Sequence, residues 1–153
     1  MQRTIIFDFS RVLLFPKDKT YTGSLNEKHR ALSQKPDYHL LDHFSLNDEL
    51  LKCLSNLKSK YHLFIFTSET IQDDLSLQPF LSPLFEVIFS ASKLGIDKKD
   101  SLSYKTLAEK IGLEPKDILY VDDTLDNIHA AQKAGVNCIH YENNPQLLAE
   151  LPS

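Results

Sequence analysis

Strand-length apolar runs alternate with helical patterns along most of the chain, and this alternation restricts the fold more than any other feature. The runs are rich in β-branched and aromatic residues, and they lie at 4–9, 61–66, 85–89, 118–121 and 136–140. Helical spacing of apolar residues predicts helices at 48–57, 101–111 and 124–134, and a last short helix from Asn144. We therefore predict an α/β fold, with a mainly parallel five-stranded sheet and helices on both faces.

Capping residues support these predicted boundaries. Ser45 or Asn47 can cap the helix that begins at residue 48, and Gly112 and Gly135 lie where helix ends favour glycine. The stretch at 71–81 contains a proline and is predicted to be irregular or briefly helical. The side chains of the helix at 124–134 that we expect to face the sheet are Leu125, Ile128 and Ala131.

The composition is typical of one globular domain. The chain has 153 residues, of which 42% are hydrophobic and 25% charged, and this argues against disordered and fibrous classes. A formal net charge of −4 disfavours a general nucleic-acid binder, and no apolar run is long enough to span a membrane. The first residues do not form a signal peptide, and Cys53 and Cys138 match no metal or redox spacing. We expect two buried thiols in a cytoplasmic protein.

Residues 16–43 interrupt the alternation. This stretch is polar and mixed in charge, and we interpret it as an insertion between the first strand and the helix before the second. Within it, 25–32 and 38–44 are long enough for two short helices. Its three histidines have no tight metal-ligand spacing and are expected on the surface: His29, His39 and His43.

Polar and charged side chains follow the predicted strands where they end. In chain order they are Asp8, then Thr67-Ser68, then Lys93 and Lys98, then Asp122-Asp123. The carboxyl ends of parallel strands share one edge of the sheet, where ligands bind. Clustered carboxylates need a cation, and oxygen ligands select Mg²⁺. A lysine and a hydroxyl can hold phosphate oxygens while a carboxylate acts as nucleophile, so the set predicts phosphoryl chemistry.

Four short motifs in this order resemble the haloacid dehalogenase superfamily of hydrolases. They are IIFDFSRVL at 5–13, LFIFT at 63–67, GIDKKD at 95–100 and YVDD at 120–123. The resemblance extends along nearly the whole chain outside the insertion. It implies a three-layer Rossmann-like domain over residues 1–153, with sheet order 5-4-1-2-3 and a small cap-type insertion at about 16–43. It also implies a Mg²⁺-dependent phosphomonoester phosphatase that forms an aspartyl-phosphate.

The resemblance assigns roles to individual residues. Asp8 would be the nucleophile and a Mg²⁺ ligand, and Thr67 would bind a phosphate oxygen, with Ser68 as an adjacent substitute. Lys98 would orient and neutralise the nucleophile and the phosphate; Lys93 and Lys105 are the alternatives. The implied metal ligands are Asp8, the backbone carbonyl of Ser10, Asp122 (direct or through water) and Asp123.

Two neighbours of these motifs leave alternatives open. Arg11 either reaches the phosphate or lies on the surface. Asp126 and Asn127 lie where the fourth motif often continues with an acid or amide near the metal, and either can instead be an ordinary helix residue.

Ser10 departs from the family pattern. Most phosphatases of the superfamily have an aspartate here, which acts as general acid and base. Serine keeps the backbone carbonyl, but loss of a general acid/base typically costs about 10²–10⁴ in rate. Some branches lack this aspartate and remain enzymes. Two functions therefore stay open: a phosphatase, and an impaired domain that binds Mg²⁺ and a phosphorylated ligand or protein without efficient turnover.

The short insertion bears on the substrate. A small cap excludes water poorly and encloses a small molecule incompletely. The expected ligand is a phosphorylated small molecule or a larger phosphorylated substrate, and neither nucleic acid nor membrane is expected as a partner. A large substrate, a completing subunit and loose specificity are each compatible with the sequence.

Overall fold

The computed structural model describes residues 3–152, which form seven strands and eight α-helices. The strands are β1 (Arg3–Phe7), β2 (Leu14–Pro16), β3 (Phe44–Leu46), β4 (Tyr61–Thr67), β5 (Val87–Ser90), β6 (Ile118–Asp122) and β7 (Asn137–His140). The helices are α1 (Leu25–Leu32), α2 (Leu40–His43), α3 (Asp48–Leu57), α4 (Gln78–Leu81), α5 (Ala91–Leu94), α6 (Ser101–Ile111), α7 (Leu125–Lys133) and α8 (Asn144–Glu150). Short 3-10 helices lie at Ile71–Asp73, Leu75–Leu77 and Pro115–Asp117.

Five of the strands form one parallel sheet in the order β5-β4-β1-β6-β7. Numbered by themselves they run 3-2-1-4-5, which read from the other edge is the expected order 5-4-1-2-3. The strand labels differ because β2 and β3 form a separate antiparallel pair. The predicted α/β class and the mainly parallel sheet are confirmed, and each predicted boundary lies within two residues of the observed one.

Both faces of the sheet are buried because successive residues of a strand point to opposite sides. Ile5 and Phe7 of β1 belong to a core cluster that includes residues of α1, α2, α3 and α8. Ile6 faces the other way and belongs to a second cluster with residues of α6 and α7. The result is a three-layer arrangement in which the helices cover both faces of the sheet. The ends of the strands remain available for polar side chains.

The helix ends mostly follow the capping residues of the sequence. Asn47 caps α3 by accepting a hydrogen bond from the Leu50 N–H at 3.3 Å, which decides between it and Ser45. Gly112 ends α6 in the left-handed conformation, with φ of 83°. The last helix begins at Asn144 as predicted, and Asn143 caps it by accepting a hydrogen bond from the Gln146 N–H at 2.8 Å.

The prediction that Leu125 faces the sheet is wrong, because its side chain is 51% exposed. The buried stripe of α7 consists of Asn127, Ile128, Ala130 and Ala131. Asn127 points inward to donate a hydrogen bond to Asp122, and this rotates the helix relative to a purely apolar stripe. Leu125 then lies on the solvent side of the first turn.

The short antiparallel pair of β2 and β3 brings the two ends of the insertion together, and the sequence did not predict this pair. Leu14 pairs with Leu46 and Pro16 with Phe44. Three-residue strands are too short to show an alternating pattern, so periodicity cannot reveal them. Between the two strands, α1 has the predicted bounds and α2 is the shorter counterpart of the predicted 38–44 helix.

Both cysteines are free and only half-buried, so the prediction of two buried thiols is too strong. Within residues 3–152, none of the helices has the length and apolar character needed to cross a bilayer.

Candidate active site

Three carboxylates meet at the carboxyl edge of the sheet. Asp8 directly follows β1, Asp122 ends β6 and Asp123 follows it. One ligand oxygen from each lies within 4.8 Å of the other two. Because β1 and β6 are adjacent and parallel, residues that follow them are necessarily neighbours. The structure thus brings together the acidic groups that the sequence analysis singled out.

Lys98 is the cation of this cluster. Its Nζ lies 2.6 Å from Asp8 Oδ1 and 3.2 Å from Asp122 Oδ2, and it donates to the Phe66 carbonyl at 3.1 Å. Its side chain is 5% exposed. Burial opposes a charged ammonium, but the two carboxylates outweigh this effect and raise the pKa of Lys98. Tyr104 positions the lysine by donating to its backbone carbonyl at 2.6 Å.

The two alternative lysines lie elsewhere. Lys93 forms an exposed ion pair with Asp73, and Lys105 is exposed on α6. Of the three candidates, only Lys98 contacts Asp8.

Asp122 is held more firmly than the other two carboxylates. It accepts hydrogen bonds from the Thr124 N–H at 2.9 Å, from Asn127 Nδ2 at 3.0 Å and from the Tyr120 hydroxyl. Burial disfavours its ionised form, yet the charge of Lys98 and these hydrogen bonds keep the pKa of Asp122 below its usual value. Asp122 is therefore a fixed anion that anchors the cluster.

Asp8 and Asp123 have the opposite tendency. Burial raises the pKa of Asp8, the charge of Asp122 raises it further, and Lys98 only partly opposes them. Burial and Asp122 likewise raise the pKa of Asp123. One lysine does not neutralise three carboxylates, so the cluster favours a further cation. Its donors are all oxygens, and this set fits a hard divalent ion such as Mg²⁺.

A cavity of about 150 Å³ opens above the cluster. It contains most of the predicted site residues: Asp8, Ser10, Arg11, Thr67, Ser68, Lys98 and Asp123. Asp122 lies behind them, fully buried and in contact with Lys98. Of the two uncertain positions in α7, Asn127 lines the cavity and Asp126 is exposed outside it.

Ser10 and Arg11 have unexpected surroundings. The Ser10 Oγ is buried and has no hydrogen-bond partner among the described residues. Arg11 has a left-handed backbone, with φ of 63°. Its guanidinium donates to the carbonyls of Tyr21 at 3.1 Å and Gly23 at 2.8 Å. Arg11 thus holds the insertion, a role that neither predicted alternative included.

Sequence reasoning missed several residues of the site, among them Tyr120 and Asn26. Tyr120 hydrogen-bonds Asp122, and the signal was present because residues two apart in a strand point to the same face. Asn26, in the first turn of α1, lines the cavity and is 9% exposed. No motif marks Asn26, since only the path of the insertion brings it to the sheet edge.

A larger cavity of about 590 Å³ lies at the opposite edge, where β1, β6 and β7 begin. Its lining includes Arg3, Tyr61 and Cys138 but none of the clustered carboxylates. Size alone would favour this cavity, whereas the titratable groups identify the smaller one as the candidate active site.

The model of the haloacid dehalogenase-like hydrolase family matches residues 14–141. The chain therefore belongs to this family of hydrolases. The match begins after Asp8 and Ser10, so the first motif lies outside it and rests on the geometry described above.

Curated relatives match over part of the chain. The Enolase-phosphatase E1 of Persephonella marina is 40% identical over 75 residues, which cover 49% of this chain and 30% of that protein. The first such relatives are matched over 24% to 35% of their own length, so the chain spans at most about a third of them.

Solved structures share the fold over nearly all of the chain. A HAD family enzyme from Bacteroides thetaiotaomicron in complex with magnesium has a TM-score of 0.71 at 14% identity, covering 98% of this chain and 99% of that one. The wild-type form of the same enzyme, in complex with magnesium and inorganic phosphate, has a TM-score of 0.67 at 13% identity, covering 93% and 95%. At such identities the likeness concerns the fold.

Proposed function

We propose that the protein is a Mg²⁺-dependent phosphomonoester phosphatase that transfers the phosphoryl group to Asp8. The observation that carries the proposal is the carboxylate cluster, with ligand oxygens within 4.8 Å and Lys98 bound to Asp8, at the floor of a small cavity. Asp8, Asp122, Asp123 and the Ser10 carbonyl would hold the ion. When bound, Mg²⁺ neutralises the carboxylates and draws charge from the phosphate oxygens.

Asp8 is suited to attack phosphorus. The Phe9 N–H and Lys98 Nζ both donate to Oδ1, which leaves Oδ2 for the nucleophilic step. The new bond joins Oδ2 to phosphorus, while the bond from phosphorus to the leaving oxygen breaks and that oxygen takes up a proton. Thr67, Ser68 and Lys98 line the cavity where the remaining phosphate oxygens would lie.

Water completes the reaction. Its oxygen attacks phosphorus, the bond from Asp8 to phosphorus breaks, and inorganic phosphate leaves with the ionised Asp8 restored. A serine hydroxyl is a poor proton shuttle near pH 7. In this protein, solvent therefore supplies the proton to the leaving oxygen and takes up the proton of the attacking water. The expected rate is correspondingly modest.

The comparisons support this proposal in two ways. Several curated relatives are enolase-phosphatases, and a protein of the same fold was solved in complex with magnesium and inorganic phosphate. Residues 3–152 would act as one domain, with 16–43 as a small cap. Its helix α1 brings Leu25 and Asn26 to the cavity, together with Ser24, which caps that helix. A phosphorylated small molecule, or the phosphorylated end of a larger one, fits a cavity of about 150 Å³.

Ser10 favours a second candidate, a domain that binds Mg²⁺ and a phosphorylated ligand or protein without efficient turnover. Its hydroxyl stands in the position of the missing acid/base and makes no hydrogen bond within the described part of the chain. This candidate uses the same residues for binding and omits the chemical steps.

Turnover of p-nitrophenyl phosphate separates the two candidates. We expect release of p-nitrophenol that requires Mg²⁺, falls to background in Asp8→Asn and persists in Asp126→Asn, an exposed carboxylate on α7. Turnover no faster than that of Asp8→Asn would contradict the phosphatase. If inorganic phosphate then bound only in the presence of Mg²⁺, the binding domain would remain.

A further inference from the structure

A second cavity, of about 500 Å³, adjoins the active-site cavity and carries several positive charges. Its lining residues are Arg11, Phe15, Pro16, Lys17, Lys19 and Ser45. None of them is acidic, although the chain as a whole has a formal net charge of −4. Arg11 also lines the active-site cavity, so the two cavities meet at this residue. A local excess of positive charge beside a candidate phosphate site attracts anions.

The two lysines of this cavity are not neutralised by neighbouring carboxylates. Lys17 and Lys19 are exposed, and neither forms an ion pair within residues 3–152. Asp18 lies between them in the sequence, but its Oδ1 accepts hydrogen bonds from the Thr20 N–H at 3.0 Å and from the Thr20 hydroxyl at 2.6 Å. Even with the charge of Asp18 included, positive charge remains in excess around the cavity.

Arg11 retains hydrogen-bond donors for a ligand. Its Nη2 donates to the carbonyls of Tyr21 and Gly23. Its Nε and Nη1 have no hydrogen-bond partner within residues 3–152, and neither is a buried atom, so both remain accessible to an anion. The two carbonyls already hold the guanidinium in place, and less conformational freedom is therefore lost when it binds a ligand.

The backbone around the cavity is fixed by the β2–β3 pair. Pro16 pairs with Phe44, and the Lys17 N–H donates to the His43 carbonyl at 2.9 Å. Phe15 packs against Tyr141, with 6.5 Å between the ring centroids. Phe15 and Pro16 give the cavity an apolar part next to its cations. The cavity therefore suits an anionic group at the end of a short hydrocarbon chain.

We infer that this cavity binds a second anionic group of the substrate, a carboxylate or a phosphate, on the molecule whose first phosphate reacts at Asp8. The inference rests on the proposed phosphate site and narrows its substrate class. Exposed lysines bind a free anion weakly. An anion tethered to a phosphate that is already bound has a high effective concentration, so the same contacts then raise the affinity. The preferred substrates are phosphomonoesters with a second anionic group, joined by a linker that passes Arg11.

Phosphonates that differ only at their far end test this inference without turnover. Butylphosphonate, 4-phosphonobutyrate and tetramethylenediphosphonate end in a methyl group, a carboxylate and a second phosphonate, and the corresponding hexyl series supplies a longer linker. Calorimetry with saturating Mg²⁺ at low ionic strength measures each affinity. At the linker length that spans the two cavities, we expect the ligands with a second anion to bind about tenfold more tightly than the alkylphosphonate.

Variants of the lysines show whether this cavity supplies the preference. Lys17→Met combined with Lys19→Met should remove most of it and keep the wild-type affinity for butylphosphonate. Both side chains are exposed, so the change leaves the fold intact. Lys35→Met combined with Lys52→Met is the matched control, because it removes the same charge from exposed lysines that do not line the cavity. This control should keep the preference.

The outcomes separate this inference from the proposed function. Equal binding of the alkylphosphonate and both dianionic ligands at both linker lengths would overturn the second anion site and leave the phosphate site intact. A preference that survived without Lys17 and Lys19, or that fell equally in the control variant, would also overturn it. If none of the phosphonates bound in the presence of Mg²⁺, the phosphate site itself would be refuted, and the second site with it.

Discussion

Replacing Lys98 by methionine tests the electrostatic account of the site. Methionine has a similar length, so the change removes the charge while it largely keeps the packing. With an effective dielectric constant of about 20, the ammonium contributes about 6 kcal/mol of attraction to Asp8 at 2.6 Å and about 5 kcal/mol to Asp122 at 3.2 Å. Most of this offsets the cost of burying the charges. Breaking a buried pair usually costs about 3–5 kcal/mol, and we expect this loss at pH 7.

The loss should shrink as the pH falls. Lys98 is the group that lowers the pKa of Asp8, so its removal raises that pKa further above the unfolded value. When the pKa of a carboxyl group is higher in the folded state than in the unfolded state, the folded protein takes up the proton first as the pH falls. The free energy of unfolding then rises as the pH falls through the folded-state pKa. The variant should therefore lie closer to the wild type at pH 5 than at pH 7.

Urea unfolding without divalent ions, followed by circular dichroism, measures both effects. Lys93→Met is the matched control, because its pair with Asp73 is 57% and 47% exposed, and it should cost less than about 1 kcal/mol. A Lys98→Met variant within about 1 kcal/mol of the wild type at pH 7, or one whose deficit grew at pH 5, would refute the reasoning.

Three further predictions concern the reaction, a thiol and a structural amide. Ser10→Asp should raise Mg²⁺-dependent phosphatase turnover about 10²-fold or more by supplying an acid/base, while the isosteric Ser10→Asn should not; equal rates would argue against a site limited by proton transfer. Burial and the charge of Asp122 raise the pKa of Cys138 to about 12. In a Cys53→Ala background, alkylation of Cys138 at pH 8 should thus be roughly 10³-fold slower in the native protein than in urea, as mass spectrometry can follow. Asn47→Ala removes the cap of α3, the hydrogen bond to Asn144 at 2.8 Å and the hydrogen bond to the Val12 carbonyl at 2.9 Å. Urea unfolding should therefore show a loss of about 2–4 kcal/mol in the free energy of unfolding. A loss below about 0.5 kcal/mol would mean that these hydrogen bonds of Asn47 do not stabilise the fold.

The sheet could be predicted because its strands are buried on both faces and read as continuous apolar runs. The carboxylates could be predicted as neighbours because a residue after β1 and a residue at the end of β6 share one edge of a parallel sheet. Lys98 was the best of three lysines by spacing, and its distance of 2.6 Å to Asp8 Oδ1 agrees with that choice.

The remaining features depend on tertiary contacts that local patterns do not encode. An apolar pattern places Leu125 inward because it treats Asn127 as a solvent-facing residue. The hydrogen bond from Asn127 to Asp122 instead turns Asn127 toward the site. Arg11 and Asn26 acquire their positions from the path of the insertion, which follows from hydrogen bonds to backbone carbonyls rather than from periodicity.

A crystal structure with Mg²⁺ and beryllofluoride, an analogue of the phosphoryl group, tests the central claim most directly. We expect one cation bound by Asp8, Asp123, the Ser10 carbonyl and Asp122 (directly or through water), with beryllofluoride on Oδ2 of Asp8 and Lys98 beside it. A cation bound away from the carboxylate cluster would contradict the proposed site. So would the absence of beryllofluoride from Asp8 in a crystal soaked with saturating Mg²⁺ and beryllofluoride.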